Sequence, residues 1–168
     1  MRQRILDLWN NQPLKLILLT GIVLRLIAAV FSKGYGMHDD HFLVLEPAQS
    51  WVDGYDYNSW LPGSNAEPTP SGHSFFYVGI HYIILLFLQF SGITDPQVKM
   101  FIIRLLHAGF SLITIYVGYK ITIKLADQKT AKLTGLLLAT LWFMPFLSVR
   151  NLVEVVSIPF LVYGSWLI

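Results

Sequence analysis

Long apolar segments separated by polar connections dominate the hydrophobic pattern of this chain. The first, LKLILLTGIVLRLIAAVF at 14–31, is long enough to cross about 30 Å of hydrocarbon as a helix. Similar segments follow at 75–92, 100–119 and 133–149, and an incomplete one occupies 155–168. The pattern predicts an all-α polytopic membrane protein built as a transmembrane helix bundle.

The composition agrees with this class. Hydrophobic residues make up 54% of the 168 positions and charged residues 13%, whereas a soluble domain carries about 25% charged residues. The net charge of +2 is too small and too scattered to indicate nucleic-acid binding. Cysteine is absent, which excludes disulfides and thiolate chemistry. The last apolar run has no polar flank, so we expect the chain to be the N-terminal part of a longer protein.

The distribution of cations predicts the orientation of the chain. Arg2 and Arg4 precede the first segment and Lys15 lies at its start, which places the N-terminus in the cytoplasm by the positive-inside rule. If 75–92 lies at the outer surface as an interfacial or re-entrant helix, the lysines after the third segment are also cytoplasmic. Residues 32–99 then form one large outer loop on the periplasmic, extracellular or lumenal side. The lysines concerned are Lys120, Lys124, Lys129 and Lys132.

One charge falls well inside the first apolar segment, far from its charged start. Arg25 would be costly in contact with lipid. We therefore expect its side chain either to reach the membrane surface or to face the protein interior.

The outer loop contains the titratable stretch MHDDHFLVLEP at 37–47, at the start of a short helix expected near 40–52 on the membrane surface. Three interpretations of Asp39 and Asp40 remain open. The pair can cap the helix. It can bind a divalent metal such as Mn, Mg or Zn through His38, Asp40 and His41. A carboxylate can also act as a general base toward a hydroxyl group.

The stretch DDHFLVLEPAQSWVDGYDYNSW, which begins at Asp39, resembles the first lumenal loop of the dolichyl-phosphate-mannose-dependent mannosyltransferases. These enzymes belong to the C-type membrane glycosyltransferase superfamily. Two differences from the family pattern are His38 in place of a proline and Asp40 in place of a glutamate. The positions that match the family motif are Asp39, Asp40, Phe42, Glu46, Pro47, Gly54 and Trp60.

The resemblance implies an inverting glycosyltransferase. It would move a hexose, with mannose as first choice, from a polyprenyl-phosphate donor to a glycan or glycolipid acceptor at the outer membrane face. Asp39 is the expected base and Asp40 its catalytic neighbour. No cofactor is assigned beyond the metal left open above. The residues expected to bind substrate are Glu46, Arg150, Glu154, His41, Trp60 and Arg104.

Cations are expected to stabilise the departing phosphate, and the candidates are Arg150, Arg104 and Lys99. Plainer interpretations stay open for two of the site residues. Glu46 can be a solvated helix acid, and Arg150 can be an interfacial anchor.

Two alternatives belong to other classes. The first is a transporter or lipid-handling protein with an acidic outer loop. Transporters usually place ionisable residues at broken helices near the membrane midplane, whereas most carboxylates here lie in the loop. The second alternative is an inactive truncated fragment.

Overall fold

The computed structural model describes residues 2–33, 40–55 and 75–168. All regular secondary structure in these ranges is helical. Three residues of the predicted site, His38, Asp39 and Trp60, lie outside the described residues.

The helices differ widely in length. Two of them, with 19 and 30 residues, are long and apolar enough to cross a membrane. Together with the all-helical secondary structure, they confirm the predicted class of all-α membrane protein. The helices are α1 (Arg2–Asn11), α2 (Pro13–Phe31), a π-helical turn (His41–Leu45) that continues into α3 (Glu46–Asp53), α4 (Phe75–Phe90), α5 (Pro96–Leu125), α6 (Gln128–Thr140), α7 (Phe143–Leu147) and α8 (Val153–Leu167).

Most predicted segments correspond to single helices. Segment 14–31 is α2, segment 75–92 is α4, and segment 155–168 lies largely in α8. Segment 100–119 is the middle of α5, which extends beyond it at both ends. Whether α4 spans the membrane or lies at its surface stays a prediction.

Segment 133–149 differs from the prediction, because the structure divides it into α6 and α7. Leu141 leaves the helical region with φ −57° and ψ 123°. Pro145, four residues later, has no amide hydrogen for the carbonyl of Leu141 and therefore cannot continue α6 as a regular helix. The apolar composition of the segment does not reveal this break.

The described chain divides into two compact units. The bundle unit comprises Met1–Lys33 and Phe101–Ile168, and the loop unit comprises Gly34–Met100. The loop unit begins and ends within two residues of the outer loop predicted at 32–99. The sidedness of that loop stays a prediction.

Small residues bring α2, α5 and α6 close together in the bundle unit. A methyl group added at Gly21 would lie 2.7 Å from Ile115 Cδ1, and one at Gly118 would lie 2.6 Å from Leu138 Cδ1. Such close approach is typical of membrane helices, which associate through packing rather than through the hydrophobic effect. The buried residues at this contact are Ile17, Ile115, Tyr119, Ala131 and Ala139.

Arg25 faces the interior of the bundle unit, one of its two expected positions. Only 1% of its surface is exposed. Its Nε donates a hydrogen bond of 2.7 Å to Ser111 Oγ, and longer contacts of 3.3 and 3.5 Å reach the carbonyls of Leu138 and Ala139. These carbonyls belong to the last turn of α6, where no following helical amide can bind them. The guanidinium therefore caps the helix end that the break creates, and the helix dipole favours a cation there.

Candidate functional site

The described part of the acidic motif begins at Asp40. Its backbone is helical, with φ −66° and ψ −26°, and its side chain makes no capping hydrogen bond. The cap interpretation therefore fails for Asp40. Burial raises the pKa of Tyr77 on α4 above its ordinary value, and the negative charge of the Asp40 carboxylate raises it further. Asp40 thus lies within electrostatic reach of α4 in the loop unit.

The π-helical turn brings His41 and Glu46 together. The amide of Glu46 donates to the carbonyl of His41, so the turn closes over five residues. Pro47 accounts for the wider turn, because its ring would clash with the carbonyl of Leu43 in a regular α-helix. Single π-turns of this kind occur frequently at functional sites.

The electrostatics of the turn agree with this geometry. Burial lowers the pKa of His41 from its ordinary value, and the Glu46 carboxylate acts in the opposite direction. His41 is therefore a neutral ring at pH 7. The spacing of a regular α-helix does not join His41 to Glu46, so the contact was not foreseen from the sequence. Pro47, next to Glu46, was the signal that could have revealed it.

Aromatic packing fixes α3 against α4 inside the loop unit. The Trp51 ring lies 5.8 Å from the rings of both Phe75 and Tyr82, measured between centroids. On α4, buried His81 places Nδ1 3.0 Å from the carbonyl of Tyr77. The contacts of Trp51 hold the helix that carries Glu46 against α4.

A cleft of about 390 Å³ lies within the loop unit, between α3, α4 and the first turn of α5. Lys99 is 5% exposed at this cleft. Its ammonium donates to Gln89 Oε1 at 2.9 Å and to Gln49 Oε1 at 3.2 Å. The amide of Gln49 in turn donates to Asp53 Oδ1 at 2.9 Å. The cleft is lined in part by apolar side chains, and the hydrogen-bonding side chains in its lining are His41, Glu46, Gln49, Asp53, Gln89, Thr94 and Lys99.

The bundle unit contains a second candidate feature, the pair of cations Arg104 and Arg150. Arg104 on α5 is 7% exposed, and its one hydrogen bond to a described residue is a long contact of 3.4 Å to the carbonyl of Ser32. Its Nε is buried without a hydrogen-bond partner among the described residues. The positive charge of Arg150 acts on it electrostatically. An anion at this position would offset both charges.

Arg150 lies between α7 and α8. Its guanidinium carbon is 4.8 Å from the centroid of the Phe146 ring, a cation–π contact. Burial lowers the pKa of Arg150 from its ordinary value, and an arginine nevertheless remains cationic at neutral pH.

The remaining predicted residues are placed as follows. Glu154 is exposed in the first turn of α8, where the helix dipole favours an acid, and its role in substrate binding stays a prediction. Within the described ranges, no three His, Asp or Glu side chains converge on a metal position. The metal alternative includes His38, which lies outside those ranges, and therefore also stays a prediction.

The comparison with protein families gives a match over nearly the whole chain. The model of the Alg9-like mannosyltransferase family matches residues 16–166. This range includes the acidic motif, the cleft and both arginines. No curated protein and no solved structure matches the chain.

Proposed function

Because the chain belongs to the Alg9-like mannosyltransferase family, we propose that it transfers mannose from a polyprenyl-phosphate donor to a glycan or glycolipid acceptor. The family match is the observation that carries the proposal. It makes the protein a glycosyltransferase and favours this class over the transporter alternative. The donor, the membrane face and the roles of single residues are the proposed part.

The proposed chemistry is a single displacement with inversion. The acceptor hydroxyl attacks C1 of the donor sugar while Asp39, or Asp40 beside it, takes the hydroxyl proton. The bond between C1 and the phosphate oxygen breaks, and its electron pair leaves with the polyprenyl phosphate. A new glycosidic bond forms on the opposite face of C1, so atoms and charges balance without a further reactant.

The leaving phosphate gains negative charge as the bond breaks. Arg104 and Arg150 are the proposed cations that stabilise it, since Arg150 is partly buried and Arg104 is buried and retains an N–H without an acceptor among the described residues. Such preorganised donors are worth more in a water-poor site than in bulk water.

The proposed location of the reaction is the outer membrane face. The lysines at the end of α5 and the start of α6, together with the arginines of α1, favour a cytoplasmic position for these parts of the chain. The loop unit then lies on the opposite side, where the sugar-phosphate of a lipid donor is accessible.

The experiment is a transfer assay with membranes that contain the full-length gene product and radiolabelled polyprenyl-phosphate mannose. We expect Asp39→Asn to lower the rate at least about 10²-fold, because asparagine keeps the shape of the side chain and cannot accept the proton. Asp40→Asn is measured in parallel to separate the two carboxylates.

Asp95→Asn is the matched control, since it is the same change elsewhere in the loop unit. Asp95 is exposed and accepts a hydrogen bond from the amide of Val98 at the start of α5, a role that asparagine also performs. Its rate should equal that of the wild type. Full activity of both Asp39→Asn and Asp40→Asn would refute the proposed base, and no transfer from any polyprenyl-phosphate hexose would refute the proposed function.

A further inference from the structure

The cleft in the loop unit has features that the proposed displacement does not use. Its lining contains donors and acceptors from five kinds of side chain: ammonium, amide, carboxylate, imidazole and hydroxyl. Its volume of about 390 Å³ lies within the range of about 300–1,000 Å³ found for small-molecule sites.

The charge of the cleft disfavours an anion as its occupant. Glu46 and Asp53 contribute two carboxylates, whereas Lys99 contributes one ammonium. His41 adds no charge at neutral pH, because burial lowers its pKa. A phosphate would meet a net negative surface, and electrostatic repulsion of this kind rejects wrong partners.

The network around Lys99 is suited to a neutral polyol. Its ammonium has three N–H donors, and two of them are used by Gln49 and Gln89. The third donor and the amide groups can bind sugar oxygens, while carboxylate oxygens accept from sugar hydroxyls. Because Lys99 is 5% exposed, its position is fixed before a ligand arrives.

The position of the cleft favours the acceptor sugar over the donor sugar as its occupant. His41, which lines the cleft, directly follows Asp40 in the chain, so a sugar in the cleft can present a hydroxyl to the acidic motif. The donor hexose is bonded to a phosphate that would have to lie at the same carboxylate-rich surface. An acceptor ring carries no such charge.

We propose that the cleft between α3, α4 and the first turn of α5 binds the terminal neutral ring of the acceptor, a hexose or inositol, through Lys99, Gln49 and Gln89. This inference rests on the proposed glycosyltransferase function, whose donor and base it leaves unchanged. It assigns Lys99 to acceptor recognition instead of to the departing phosphate.

The test measures binding by saturation-transfer NMR with the full-length protein in nanodiscs. The probes are the methyl glycosides of mannose, glucose, galactose and N-acetylglucosamine, free inositol, and citronellyl-phosphoryl-mannose as a donor analogue. We expect at least one neutral probe to bind the wild type. Lys99→Met and Gln89→Leu should each reduce its signal at least fivefold and change the donor-analogue signal less than twofold.

Gln97→Leu is the matched control, because Gln97 is an exposed residue of the same first turn of α5 and does not line the cleft. It should bind every probe as the wild type does. Gln89 is itself exposed, so Gln89→Leu should leave the fold intact and keeps the test valid if Lys99→Met misfolds.

Three outcomes would overturn the inference: no neutral probe binds, the variants bind it unchanged, or they lose the donor analogue instead. Failure of the proposed function is a separate result, because it appears as absent transfer in the radiolabel assay while neutral-probe binding remains sensitive to Lys99.

Discussion

Arg25 and Arg104 are both buried arginines of the bundle unit, and their surroundings differ. The guanidinium of Arg25 contacts a hydroxyl and the carbonyls at the end of α6. That of Arg104 has one contact of 3.4 Å, and its Nε lacks a partner among the described residues. Burial alone therefore does not identify a functional cation. The number of hydrogen bonds that the protein itself supplies separates the two residues.

The difference has an energetic meaning. A buried polar group without a partner costs about 1–3 kcal/mol, and the charge of Arg150 adds repulsion at Arg104. The folded protein bears this free-energy cost at Arg104, whereas the hydrogen bonds of Arg25 avoid it. Arg25 is accordingly interpreted as a structural cap, and the sparse hydrogen bonding of Arg104 supports its proposed role at the departing phosphate.

The largest expected effect is that of Arg104→Met on catalysis. Removal of one preorganised charge donor typically costs about 10²–10³-fold in rate, and we expect a loss of this size in the mannose transfer assay. The thermal midpoint should not fall, because Arg104 contributes little to the stability of the folded protein. A rate within threefold of the wild type would remove Arg104 from the site.

Arg25→Met tests the opposite side of the comparison. We expect the free energy of unfolding to fall by about 3 kcal/mol, because the α6 carbonyls and Ser111 lose their donor. Thermal unfolding in detergent measures the change, and the transfer rate per folded molecule should remain that of the wild type. Unchanged stability would show that the cap contributes nothing.

Ser111→Ala makes Arg25 more like Arg104. It removes the shortest hydrogen bond of the guanidinium, at 2.7 Å, and leaves Nε without that partner. A hydrogen bond to a charged group is worth about 1.5–3 kcal/mol, so we expect a loss of about 1.5 kcal/mol in the same unfolding experiment. Thr114→Val, a change at another buried hydroxyl of α5, is the control for the general loss of a hydroxyl on this helix. A loss no larger than that of the control would contradict a specific role for Ser111.

The sequence was most informative where long apolar runs report membrane helices directly. It was least informative about how such a run ends. The break after Thr140 depends on the backbone at Leu141 and on Pro145. The break leaves carbonyls that bind Arg25, and it therefore explains why this charge of α2 lies in the protein interior and not at the membrane surface. The cap joins Arg25 to Ala139, 114 positions away, and no local pattern encodes such a pairing.

The candidate site was predictable by residue type and less so by geometry. The motif at 37–47 carried the resemblance to the mannosyltransferases, which the family match confirms, while the catalytic roles of its residues stay a prediction. The cleft around Lys99 was not foreseen, because Gln49 and Gln89 are ordinary neutral residues whose meaning appears only when α3 and α4 pack together. Lys99 was noticed for its charge, and the structure adds the neutral partners.

The smallest expected effect separates charge from shape at the two arginines. Arg104→Lys keeps the positive charge, so we expect the transfer rate to fall by no more than about tenfold, equivalent to about 1.4 kcal/mol. Arg25→Lys should destabilise the protein nearly as much as Arg25→Met, because a single ammonium cannot reach Ser111 and both α6 carbonyls as the planar fork does. Parallel measurements of rate and thermal midpoint on the two lysine variants decide the matter. If Arg104→Lys were as inactive as Arg104→Met, Arg104 would act by bidentate geometry instead of charge, and the two arginines would be more alike than their contacts indicate.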